Sequence, residues 1–101
     1  MKVILAGPAK RDLAEIGDYI ARDDMLRAES FVGELIASCD GLSQLARGYA
    51  LVPRAERLGV RKRRHGRYLI FYRIRADGKA LDILHVVHGA RDYMKLLLPD
   101  G

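Results

Sequence analysis

The chain has 101 residues, 50% of them hydrophobic and 31% charged, with a formal net charge of +5. That length is the size of one domain, 1–101, and the composition excludes an intrinsically disordered chain. The lone Cys39 cannot form an internal disulfide, and the apolar run from Val3 to Ala6 is too short for a signal peptide or a membrane span, so a cytoplasmic setting is expected.

Val3 to Leu5 reads as a short strand closed by Gly7-Pro8, with Pro8 suited to the first position of a helix, where its missing N–H is not needed. Ala9, Leu13, Ile16 and Ile20 then recur at helical spacing, which predicts an amphipathic helix to about Arg22. Asp23 and Asp24 offer an N-cap for a second helix, Met25 to Leu45, striped by Ala28, Phe31, Val32, Leu35, Ile36, Cys39 and Leu42. So short a join makes the two helices an antiparallel hairpin. Gly48 to Pro53 has no periodicity and reads as loop.

From there the pattern becomes that of strands. Leu58 to Lys62 and Arg67 to Arg75 form a β-hairpin about a turn at His65-Gly66, and Asp77-Gly78 turns the chain into a last strand, Leu81 to His88. The tail from Arg91 to Leu98 fits either a final strand or a helical turn. The expected fold is α+β: an N-terminal strand, then an antiparallel two-helix hairpin packed on a small, mainly antiparallel sheet. The element order is β-α-α-β-β-β plus a short C-terminal tail.

Charge is unevenly distributed along this order. Nine of the eighteen basic residues lie between Arg54 and Arg75, where Glu56 is the one acid, a formal charge of +8. Taken from the total of +5, this leaves −3 for the rest of the chain. The segment Pro8 to Leu45 carries four bases and eight acids, so the helical side is acidic and the sheet side basic. Concentrated arginine on strands suits a polyanion or an acidic partner.

Strand parity divides the basic set. Arg67, Leu69, Phe71, Arg73 and Arg75 share one face, while Tyr68, Ile70, Tyr72 and Ile74 form a floor for the helices. An apolar centre rimmed by arginines could accept an amphipathic segment of a partner, or be covered by the chain's own tail. The run Arg61-Lys62-Arg63-Arg64 is a second candidate contact, unless it only keeps an edge strand soluble. His85 and His88, three apart on a strand, point to opposite faces and cannot readily share a metal ion. Ser30, Ser38 and Ser43 have no organised base nearby, and no cofactor motif occurs. The cations that a metal-free ribonuclease needs are present, but a convincing acid and base are not.

Ala9, Asp12-Leu13, Ile16 and Tyr19-Ile20, then Ala28 and Phe31, Gly59-Val60-Arg61, Tyr68 to Arg73 and Val87-His88-Gly89-Ala90-Arg91-Asp92 together resemble the RelE/ParE superfamily of bacterial toxins, in its ParE branch. The resemblance spans nearly the whole chain. It implies a toxin of a type II toxin–antitoxin pair that poisons DNA gyrase and blocks replication without chemistry of its own. The implied partner is an antitoxin with a ribbon-helix-helix N-terminus and a toxin-wrapping C-terminus, through which alone operator DNA is bound. Leu69, Phe71, Arg67, Arg73 and Arg75 are then the candidate antitoxin-binding set, and Arg61, Lys62, Arg63, Arg64 and Arg91 the candidate target-binding set. No catalytic residue, metal or cofactor is expected.

The sister branch, similar to RelE, consists of ribosome-dependent mRNA endonucleases. An ungapped match places Leu69 where those enzymes carry an arginine and Leu97 where they carry a tyrosine, although a gapped one brings Tyr93 forward. Arg91 and Lys62 do match. The departures favour the ParE branch, with the endonuclease as the alternative.

Overall fold

The computed structural model of the chain describes residues 1–98. The last three residues of the expected 1–101 unit lie outside that description. Four strands form one sheet in the order β1-β4-β3-β2, where β1 is Lys2–Leu5, β2 Val60–His65, β3 Tyr68–Ile74 and β4 Ala80–His88. The β2–β3 and β3–β4 pairs are antiparallel, and β1 lies parallel to β4, with Lys2 opposite Ala80 and Leu5 opposite Ile83. The sheet is therefore mixed.

Between β1 and the rest of the sheet come α1 (Gly7–Ala21) and α2 (Met25–Asp40). Ala9, Leu13 and Ile16 of α1 are buried, and Pro8 sits in its first turn. The Asp24 side chain caps α2 by accepting the Arg27 N–H at 2.9 Å. The long second helix read from periodicity is interrupted at Gly41, and the chain continues as α3 (Leu42–Leu45). Ile36 does not join the buried stripe; it is exposed. The helices and sheet enclose a core that includes Leu35, Leu42, Ile70, Tyr72, Leu81, Ile83 and Val86, with Tyr68 and Ile74 packed against it. The Tyr72 hydroxyl donates to the Ala46 carbonyl at 2.6 Å, which satisfies the one polar atom of a fully buried ring.

Two strand expectations shift. Leu58 belongs to a 3₁₀ turn, Glu56–Leu58, and the strand begins at Val60 after Gly59 takes φ +71°. The turn at His65-Gly66 occurs as expected, with Gly66 at φ +58° in the first of two loop positions, where a hairpin of this length calls for glycine. The tail resolves into a helical turn, α4 (Met94–Leu97).

The other face of the sheet is also covered. Val52, Ala55, Val60, Leu69, Phe71 and Val87 form a second buried cluster, with Leu58, Tyr93, Met94, Leu96 and Leu97 packed on it. The Tyr93 ring lies 4.9 Å from that of Phe71. An open apolar centre at Leu69 and Phe71 is thus corrected: both are buried, at 3% and 0% exposure, under the chain's own 51–58 segment and tail. Apolar surface of that size on a small domain is stabilising when covered, and α4 carries enough leucine to cover it. Among the described residues no helix is long and apolar enough to cross a membrane.

Candidate functional site

Residues paired across two strands share a face, so the β2–β3 register assigns each member of the basic run. Arg61 lies opposite Tyr72 and Arg63 opposite Ile70, on the helix side, whereas Lys62 lies opposite Phe71 and Arg64 opposite Leu69. On the helix side the guanidinium groups are engaged by the chain itself. Arg61 Nη1 donates to the Tyr49 carbonyl. Arg63 Nη1 donates at 2.8 Å to the Ser38 carbonyl in the last turn of α2, and stacks 5.3 Å from the centre of the Tyr49 ring. A cation at a helix C-terminus is favourably placed against the helix dipole. Arg64 is the exposed member of the run.

The β2 edge is partly closed as well. Val52 N–H donates to the Val60 carbonyl at 2.8 Å and Lys62 N–H to the Ala50 carbonyl at 3.2 Å, so residues 50–52 act as a short fifth rung. The five candidate antitoxin residues do not form one surface. Leu69 and Phe71 are buried, and Arg73 borders a cavity with Leu58, Val60, Leu96 and Leu97. Arg75 makes a two-bond fork with Asp82, at 3.0 and 2.9 Å, and lowers the pKa of that carboxyl. Arg67 lies at the other end of the sheet.

That end carries a feature which residue spacing could not reveal. A groove of about 510 Å³ runs between the helical hairpin and the β2–β3 turn, lined by Tyr19, Ile20, Arg27, Phe31, Gly66, Arg67, Tyr68 and His88. It adjoins a smaller cavity that shares Tyr19, Tyr68 and His88 and adds Asp12, Glu15 and Arg91. Arg67 and Arg91, from the two separate candidate sets, are thus brought to one place. Tyr19, Tyr68 and His88 come from α1, β3 and β4, elements joined only by folding.

Asp12 explains how the groove's floor is held. β1 ends at Leu5, opposite Ile83, so beyond that point β4 has no strand on the edge away from β3. Asp12 Oδ2 takes its place by accepting the Val86 N–H at 2.9 Å and the His85 ring Nδ1 at 2.8 Å. A carboxylate only accepts, so His85 Nδ1 carries a proton. A bulge at Leu84 precedes this contact, since Phe71 pairs with His85 and Tyr72 with Ile83. His85 and His88 lie opposite Phe71 and Tyr68, and so on different faces, in keeping with their spacing. Among the described residues no group of three or more His, Cys, Asp or Glu is placed to hold a metal ion. Burial raises the Cys39 thiol pKa to about 11, which keeps it protonated and unreactive at neutral pH.

The sequence profile of the ParE toxin of the type II toxin–antitoxin system parDE matches residues 3–93. No curated protein sequence matches significantly. Among solved structures, the chromosomal ParDE toxin–antitoxin system of P. aeruginosa superposes with a TM-score of 0.69 at 24% identity, over 87% of this chain and 95% of that one. The RelBE2 toxin–antitoxin complex of Mycobacterium tuberculosis gives 0.65 at 24% identity, over 86% and 95%. These likenesses establish the α+β fold deduced from the element order. With the profile spanning all but the ends of the chain, the protein belongs to the ParE toxin family of type II toxin–antitoxin systems.

Proposed function

We propose that this toxin is a non-catalytic poison of DNA gyrase, held inactive by a cognate ParD-like antitoxin with a ribbon-helix-helix N-terminus. Membership in the ParE family supports the gyrase target. The observation that supports the non-catalytic part is the second core. In the ungapped match Leu69 and Leu97 stand where the RelE-like endonucleases carry an arginine and a tyrosine, and both belong to the apolar packing around Phe71. Lys62 and Arg91 match those enzymes but are kept apart. Lys62 faces the second core beside Phe71, whereas Arg91 lines the small cavity against α1. Acid–base and phosphate-clamping groups must reach one substrate together, and this arrangement gives them no common site.

Antitoxin capture then needs apolar surface other than Leu69 and Phe71. Met25 and Leu26, 77% and 81% exposed at the start of α2, are the most exposed large hydrophobic residues and supply it at the tip of the hairpin. Operator DNA would be reached only through the antitoxin, and a gyrase target places the toxin in the cytoplasm.

The test is a supercoiling and DNA-cleavage assay with gyrase and the purified chain, with and without antitoxin. Loss of supercoiling with accumulation of cleaved DNA, relieved by antitoxin, is expected. Unimpaired gyrase together with cleavage of messages on ribosomes would overturn the proposal in favour of the endonuclease, the reading that the RelBE2 likeness keeps in view.

A further inference from the structure

The groove at the end of the sheet combines aromatic walls with nearby cations. The walls are aromatic: Tyr68 and His88 meet edge-on at 5.5 Å between ring centres, and Tyr19, 66% exposed, stands on the α1 side. Cations stand near the groove: Arg67 within it, Arg91 in the adjoining cavity and Arg64 beside Gly89. Arg64, Arg67 and Arg91 are all exposed, and none has an acidic partner among the described residues. Of the two acids that line the adjoining cavity, Asp12 is already occupied by His85 and Val86, and Glu15 is exposed and forms no ion pair with Arg91.

Arg67 lines the groove and Arg91 the adjoining cavity, while the main chains of both and the Arg64 side chain come close to Gly89. Its N–H donates to the Arg67 carbonyl at 2.8 Å, and the Arg91 N–H donates to the His88 carbonyl at 3.0 Å. A Cβ at position 89 would stand 3.4 Å from the Arg67 oxygen and 3.7 Å from Arg64 Nη1. Both are ordinary contact distances, so the Arg64 guanidinium, rooted on the opposite face of β2, lies against the β4 terminus.

We infer that this groove binds a single strand of nucleic acid, its phosphates on Arg64, Arg67 and Arg91 and a base against Tyr19, Tyr68 and His88. Cations alone would serve an acidic peptide equally well. Carboxylate side chains have no π face, however, and a duplex hides the faces of its bases. Aromatic walls beside unpaired arginines fit a ligand that alternates anion and flat ring. The groove, at about 510 Å³, falls within the roughly 300–1,000 Å³ of ordinary ligand sites. The inference concerns direct contact with nucleic acid and does not rest on gyrase being the target.

Fluorescence anisotropy of a short labelled single-stranded DNA with the purified chain tests it. Three phosphate contacts predict that log affinity falls against log salt with a slope of about −2. Tyr19→Ala should weaken binding about tenfold while Tyr19→Phe retains it, a pairing that separates stacking from any fault in folding. Arg67→Ala should weaken binding and flatten the salt slope by about 0.7. Lys79→Ala, exposed in the turn at the far end of β3 and β4, should change neither. No binding at low salt would overturn the inference. So would unchanged affinity in Tyr19→Ala, equal affinity for the duplex, or displacement by polyglutamate as effective as by unlabelled DNA. The last outcome would assign the groove to an acidic polypeptide.

Discussion

The two faces of the sheet are buried to similar completeness by different means. On one face Tyr68, Ile70, Tyr72 and Ile74 meet the long helices α1 and α2. On the other, Leu69 and Phe71 meet a 3₁₀ turn, an irregular stretch around Val52 and Ala55, and the four-residue α4. The same division runs through the basic strand, where Arg61 and Arg63 bond to carbonyls on the helix side and Arg64 stays exposed on the other. Alternation along a strand therefore states which residues share a face. It does not state whether that face is open, because the cover can come from segments too short to carry a period of their own.

The sharpest way to break this comparison is to empty the second core. Phe71→Ala should cost about 3–5 kcal/mol in chemical denaturation, as for a fully buried aromatic ring. A cost near zero would mean that the tail and the 51–58 segment are not a true cover.

The helix-side core has its own probe in alkali. Burial raises the pKa of Tyr72 to about 12, against about 10 for an unperturbed tyrosine. The folded state therefore favours the protonated phenol. That contribution is complete below pH 10 and is lost as pH rises from about 10 through about 12, on the order of 2–3 kcal/mol in all. Unfolding free energies across this range should fall with pH, and Tyr72→Phe should remove that part of the slope.

The arginines give the two smaller effects. Arg63→Ala removes a charged donor from the Ser38 carbonyl and the stacking on Tyr49, and should lower stability by about 1–2 kcal/mol. Its neighbour Arg64→Ala should stay within about 0.5 kcal/mol, as for an exposed side chain with no polar partner among the described residues. If the two variants have equal cost, the division of the basic run by strand face has no energetic content.

Much of the fold was legible in advance because it rests on long periodic segments. The stripe from Ala9 to Ile20 and the cap at Asp24 specify the hairpin, and the run Tyr68 to Tyr72 specifies the central strand. The misreadings fall where a local period competes with a tertiary contact. The interruption of the second helix at Gly41 accompanies an arginine from β2 reaching the Ser38 carbonyl, a partner twenty-five positions away in sequence. The start of β2 moved from Leu58 to Val60 because Leu58 is drawn into the second core. The groove was illegible for a related reason: Tyr19, Tyr68 and His88 belong to three elements, and only their packing makes a wall.

Sequence alone was enough for the α+β element order, the polarity of charge between hairpin and sheet, and the family, because each depends on local pattern and on residues in fixed order. Tertiary structure decided which arginines remain available. Arg61, Arg63 and Arg75 found carbonyl or carboxylate partners within the chain, while Arg64, Arg67 and Arg91 have none among the described residues. A guanidinium carries the same charge in either setting, and only the position of an acceptor within about 3 Å determines whether it holds the fold together or faces a partner.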